Sequence, residues 1–244
     1  QSFTLPADLI APSFLDVNRD INNKLHTEYV FRGGRGSTKS SDISEQIIKL
    51  IKNNPTMHAL ATRQVGNTLR DSVYAQLVWA ISELGLSDEF KTTTSPLEIE
   101  YLPTGQKIYF RGADDPGKIK SIKPQFGYIG ILWFEELDQF HGQEAIRKIE
   151  QSVIRGGDKA YIFKSFNPPP TANNWANKYI QIPKDTQYQH FSNYLGLPES
   201  YLQDYVKAKK DPTLKVMSLD EAIKVYAHMA VPQEWLGKAW LDEA

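Results

Sequence analysis

A short β-forming run, Thr27 to Arg32 (TEYVFR), passes directly into Gly33-Gly34-Arg35-Gly36-Ser37-Thr38-Lys39-Ser40. That octapeptide opens a helical pattern with Ile43, Ile47, Leu50 and Ile51 on one face. Strand, glycine-rich turn, Lys-Ser and helix in this order leave few folds open. Glycines let backbone N–H groups curl around phosphate oxygens without Cβ clashes, and the helix start adds the positive end of its dipole. Lys39 is placed to reach the outer phosphates of a nucleotide, and the Ser40 hydroxyl to ligate magnesium. Gly33 through Ser40 therefore form the candidate nucleotide-binding loop. One position departs from the usual pattern: Thr38 stands where a glycine normally precedes the lysine. A glycine-rich turn that precedes Lys-Ser by chance is the alternative, and the flanking strand and helix speak against it.

The rest of the chain extends this strand–helix rhythm. Asn53-Asn54-Pro55 stops the first helix, and Met57 to Thr62 (MHALAT) reads as a buried strand. Leu69, Val73, Leu77, Ala80, Ile81 and Leu84 define an amphipathic helix closed by Gly85. Leu97 to Leu102 and Lys107 to Arg111 flank Pro103-Thr104-Gly105 as a hairpin. Tyr128 to Phe134 (YIGILWF) is the most apolar run and suits a central parallel strand; Ala160 to Phe163 is a further short strand. The fold class is thus α/β, with a mostly parallel sheet flanked by helices. After about residue 170 strand signals thin out, and 198–210 and 217–229 read as helical. The expected division is an irregular lead-in over 1–26, a core over 27–195 and a small helical appendage over 196–244. The chain of 244 residues is long enough to bury a large core.

Composition narrows the chemistry. The absence of cysteine excludes a disulfide framework, a thiolate-held zinc site, an iron–sulfur cluster and a thiol nucleophile. A formal net charge of −1 gives no overall basic footprint, so any attraction to nucleic acid must come from a local patch or a ring of subunits. No apolar run approaches the roughly 20 residues of a membrane span, and no secretory signal is legible at the start. A location in the cytoplasm is the expectation.

Two acids, Glu135 and Glu136, directly follow YIGILWF. Ligands of α/β sheets gather outside the carboxyl ends of the strands. Glu135 is assigned to the magnesium shell through water, and Glu136 to the general base that activates the attacking water. A solvated strand end is the alternative. The chain between the two motifs leaves room for an extra strand, the arrangement of RecA-like (ASCE) ATPases. Ser165-Phe166-Asn167-Pro168 follows the next strand, and Asn167 is the candidate γ-phosphate sensor. Ordinary Asn-Pro turn chemistry is the competing account.

Taken in order, GGRGSTKS, TRQVGNTLRDSVYAQL, GQKIYFRGADDPGKIKSIKP, ILWFEELDQF and KSFNPP resemble the ATPase half of the large terminase subunit of tailed phages, in particular the PBSX type. VPQEWLGKAW near the C-terminus is also similar to that family. The resemblance implies a motor that hydrolyses ATP with Mg2+ and pumps double-stranded DNA into an empty capsid. Its implied partners are a portal protein, a small terminase subunit and further copies of itself, in a ring usually of five; the isolated domain could be monomeric. By position, Lys39 and Ser40 match the Walker A pair, and Arg35 matches the arginine common in this family's loop, a candidate to act in cis. Glu135 and Glu136 match Walker B and the catalytic carboxylate, and Ser165, Phe166 and Asn167 match the coupling motif. Full-length relatives carry a nuclease domain that does not fit within this length, so cutting activity is not expected. The implied setting is the cytoplasm of a phage-infected host.

Arg111 and Arg155 are candidates for an arginine acting on a neighbour's nucleotide; a surface ion pair is the plainer reading of each. Lys118, Lys120 and Lys123 are candidates for DNA phosphates, or for a solvated loop. Phe14 and Gln64 are guesses for base contacts. Two other classes compete with the motor: a helicase-type RecA-like ATPase, and a nucleotide-binding docking module that does not hydrolyse.

Overall fold

Strands that are apolar on both faces need cover on both, and that requirement sets the layers here. The computed structural model describes residues 2–33, 38–169, 171, 173–181 and 184–192. Within them the elements run α1 (Leu15–Asn23), β1 (Glu28–Gly33), α2 (Lys39–Asn53), β2 (Met57–Arg63), α3 (Ala75–Glu83), β3 (Phe90–Thr94) and β4 (Leu97–Tyr101). They continue with β5 (Gln106–Gly112), α4 (Pro116–Lys120), β6 (Tyr128–Glu135), α5 (Gln143–Val153), β7 (Tyr161–Phe166), α6 (Trp175–Tyr179) and β8 (Gln187–Ser192).

All eight strands form one sheet in the order β3-β4-β5-β2-β6-β7-β1-β8. The six from β5 to β8 pair in parallel, and β4 and β3 extend the β5 edge as an antiparallel meander. Strand alternation sends Tyr29, Phe31, Ile131 and Trp133 into one core with α1, α2 and α3, and Val30, Leu132 and Phe134 into the other with α4, α5 and α6. The parallel α/β reading holds. The chain between the two motifs supplies β2 to β5, and the strand that separates β1 from β6 in the sheet is β7, which follows both motifs in sequence.

Several elements differ from their sequence reading. The Asn-rich lead-in forms α1, whose apolar face (Phe14, Val17, Ile21) is buried. Its asparagines are acceptors: Asn18 takes hydrogen bonds from Gln46 (2.8 Å) and Lys49 (3.1 Å), and Asn22 takes one from Lys49 (2.6 Å). Their polarity is tertiary in purpose, so the local pattern conceals the helix. The helix expected from Leu69 starts as a π-helical turn, Arg70–Tyr74, before α3. β3 and β8 are strands that the apolar pattern does not reveal, since both lie at sheet edges, where little of a strand needs to be apolar. The segments 198–210 and 217–229 lie outside the described residues.

β7 carries Lys164, 2% exposed, among apolar neighbours. Its ammonium reaches Glu28 and Glu150, both at 2.7 Å, and Tyr179 at 3.0 Å. Burial alone would discharge this amine, but Glu150 and Glu28 reverse that and hold it charged. The cluster fixes β7 to β1, α5 and α6. Among the described residues no helix is long and apolar enough to cross a membrane.

Candidate functional site

The carboxyl ends of β1, β2, β6 and β7 lie side by side in the sheet, and their following residues build one site. Thr38 precedes α2 in the left-handed region, at φ 61°. This is a conformation that glycine adopts freely and that costs another L-residue about 1–2 kcal/mol. The backbone at Thr38 thus keeps the shape the usual glycine would have. Three described non-glycine residues have positive φ, and two of them, Thr38 and Glu136 (φ 53°), belong to this site. Strain persists only where the surroundings enforce it, and it gathers at functional positions.

Lys39, at the first position of α2, donates to Asn167 Oδ1 at 2.6 Å, across 128 residues of sequence. Burial lowers the Lys39 ammonium to about 8, a shift that Glu135, Glu136 and Asp138 partly offset. Glu135 ends β6 and is largely buried; desolvation raises its carboxyl above the ordinary value, while Arg63 opposes the rise. The Ser40 hydroxyl lies beside this carboxylate and lowers it slightly. A hydroxyl and a carboxylate side by side form a hard oxygen set, which fits Mg2+ completed by water and phosphate oxygens.

Arg63, the last residue of β2, holds both acids. Its Nε lies 2.9 Å from Glu135 Oε2 and its Nη2 lies 2.5 Å from Glu136 Oε2. The Glu135 contact is a charge pair that lacks hydrogen-bond alignment. Nothing in the sequence singles out Arg63, although it lies within the TRQVGNTLRDSVYAQL stretch. It becomes visible only once β2 is known to neighbour β6. The strand end that carries it is tightly fixed: Arg63 O and Gln64 O accept from Ala113 N and Asp114 N, both at 2.9 Å. Gly66 N donates to both Asp114 carboxylate oxygens at 3.1 Å. A Cβ on Gly112 would stand 2.4 Å from Gly66 Cα, so only glycine allows the two backbones to approach so closely.

The other sequence candidates fall as follows. Gly33 is buried at the end of β1, paired with Ser192. Gly34, Arg35, Gly36 and Ser37 lie outside the described residues. Ser165 and Phe166 are buried, and Ser165 Oγ accepts from Trp133 Nε1 at 3.0 Å, which ties β7 to β6. Of that triplet Asn167 is the one that accepts a hydrogen bond from Lys39 among the described contacts. Arg111 folds back on the Phe110 carbonyl at 2.8 Å, and the exposed Arg155 donates to the Gln151 carbonyl at 3.2 Å, beyond the C-terminal end of α5. Neither joins this cluster. Phe14 is fully buried against Phe31 and His190, and it lines a cavity of about 40 Å³ with Thr38 and Asp42. That volume suits a few waters.

Comparison with known proteins agrees with this architecture. The family described as phage terminase large subunit matches residues 25–218. The terminase large subunit of Bacillus phage SPP1 is 37% identical over 219 residues, covering 86% of this chain and 51% of that protein. The PBSX phage terminase large subunit of Bacillus subtilis (strain 168) is 30% identical over 210 residues, covering 75% and 46%. The chain therefore spans about half the length of the curated relatives it matches. Among solved structures, the large terminase of a thermophilic bacteriophage superposes with a TM-score of 0.62 at 13% identity, over 86% of this chain and 52% of that one. A further crystal form of that terminase, in complex with ADP, has a TM-score of 0.56 at 12% identity over 83% and 49%.

Proposed function

The chain belongs to the phage terminase large-subunit family, and from that premise we propose that it is the ATP-hydrolysing motor portion of a DNA-packaging terminase. One observation carries the proposal: Lys39, Asn167, Arg63, Glu135 and Glu136 meet at adjacent strand ends although the sequence scatters them. The ADP complex of the thermophilic phage terminase supports nucleotide as the ligand. Gly33 to Ser40 cradle the phosphates, with Arg35 in cis. Ser40 and Glu135 would hold Mg2+, which would neutralise phosphate charge there.

Glu136 is the general base. Its carboxylate is 54% exposed with one oxygen on Arg63, leaving the other to accept a proton from water as that water attacks the γ-phosphorus. The bond from the γ-phosphorus to the bridging oxygen breaks, and ADP and phosphate leave. Asn167 reads the γ-phosphate through the lysine it already touches, and Ser165 and Phe166 anchor its strand end. Duplex DNA, a portal, a small terminase subunit and a ring of like subunits, in the host cytoplasm, are the partners and setting this reading implies. An arginine from a neighbouring copy, Arg111 or Arg155, completes the site. The core corresponds to 27–195, with α1 packed on it and an appendage over 196–244.

Steady-state phosphate release with and without duplex DNA, set beside nucleotide binding, tests the reading. Glu136→Gln is expected to abolish turnover and keep nucleotide affinity. Unchanged turnover in that variant would remove Glu136 from the base role.

A further inference from the structure

A groove of about 240 Å³ runs between α4 and α5 and is bordered by Gln64. Lys120, His141 and Lys148 stand at its rim, Ile119 and Ile149 form its floor, and no acidic side chain lines it. Three nearby acids are engaged by cations, and Asp114 accepts from Gly66 N. Glu144 is held by Arg147 at 2.7 Å, Asp115 by Lys118 at 3.4 Å, and Glu150 turns to the buried Lys164. Lys120 and Lys148 are exposed and make no close ion pair among the described residues, although Glu144, one helical turn before Lys148, attracts it at longer range.

In a chain with a net charge of −1, this groove is lined by basic and by no acidic side chains. We propose that the groove seats the phosphodiester backbone of duplex DNA. The inference rests on the packaging reading and adds the surface that reading lacks. The lining along α5 extends from Ala145 to Ser152, about 10 Å at 1.5 Å per residue. That length exceeds the spacing of neighbouring phosphates along one strand, which favours a polymer over a single anion. The apolar floor carries the lysine stems while their ammonium groups stay at the rim. The groove also abuts the hydrolytic centre, because Gln64 directly follows Arg63 and Ala113 N bonds to Arg63 O at 2.9 Å. Backbone phosphates seated there would lie one residue from the arginine that holds Glu135 and Glu136.

The test is fluorescence anisotropy of a labelled duplex against the full 244-residue chain, titrated at salt from about 50 to about 200 mM. The Lys120→Ala/Lys148→Ala variant should bind more weakly, and its plot of log affinity against log salt should be shallower by about 2. Lys120→Arg/Lys148→Arg should restore both, and affinity for a fluorescent ATP analogue should be unchanged throughout. A duplex salt slope equal to that of the unaltered chain overturns the inference and leaves the packaging reading standing. Loss of nucleotide affinity in parallel with duplex affinity also overturns it, because the lysines would then serve the nucleotide. An unaltered chain that holds no duplex at low salt overturns the DNA reading and this inference together.

Discussion

Removing Arg63 probes the centre most directly. Arg63 and Glu135 are 14% and 17% exposed, and their contact is 2.9 Å. At an effective dielectric of about 20 the gross attraction is about 6 kcal/mol, but that is not the expected loss. In Arg63→Ala, Glu135 escapes by keeping a proton. For a carboxyl with an ordinary value of 4.5, that costs at most about 4 kcal/mol near pH 7.5, at 1.36 kcal/mol per unit. Its value is already raised in the folded protein, so the cost is smaller, and we expect about 2–3 kcal/mol. The pair with Glu136, which is 54% exposed, adds little.

The sign follows from the proton count. With Arg63 gone, the folded carboxyl rises further, so the native state holds a proton that the unfolded state releases above 4.5. Stability then falls as pH rises from 4.5 to the raised folded value. The penalty should therefore be below about 1 kcal/mol near pH 5 and full near pH 7.5. Urea denaturation at the two pH values measures it: the midpoint should fall by about 1 M at the higher pH with an unchanged slope. Arg63→Lys, which keeps the charge, should recover part of the difference. An equal midpoint shift at both pH values, or a larger one at the acidic value, would refute the electrostatic account of this centre.

Two further outcomes concern α2. With its amine lowered to about 8 by burial, Lys39 is neutral in alkaline solution. Affinity for a fluorescent nucleotide should therefore drop by up to about tenfold per pH unit above that value. Titrations across that range check this, and Lys39→Arg should be flat. Asp42 is fully buried with neither oxygen hydrogen-bonded, Gln46 approaching without good alignment; desolvation pushes its carboxyl up to about 7 against the pull of Lys49. It costs stability as pH rises from 3.8 to that value, so Asp42→Asn should flatten this part of the stability profile by a few kcal/mol, on the order of the linkage of a single shifted carboxyl. Parallel urea profiles for the two proteins would contradict it.

What was readable in the sequence is what lies in short, continuous runs. The strand TEYVFR, the glycine-rich turn and the start of α2 are local chemistry, so Lys39 and Ser40 could be named before any fold was known. YIGILWF announced a strand buried on both faces, and its end placed Glu135 and Glu136. The order of these motifs carried the family resemblance. Tertiary structure alone decided which strands are neighbours. Only because β7 lies between β1 and β6 does Asn167 meet Lys39, and only because β2 pairs with β6 does Arg63 reach the two acids. Hydrophobic periodicity records which face of an element is buried, not which element buries it. That is why α1, whose asparagines serve lysine and glutamine on α2, and the polar edge strand β8 stayed hidden. The same holds for Lys120 and Lys148: in sequence they are two charges among many, and only the packing of α4 on α5 brings them to one groove whose lining holds no acid.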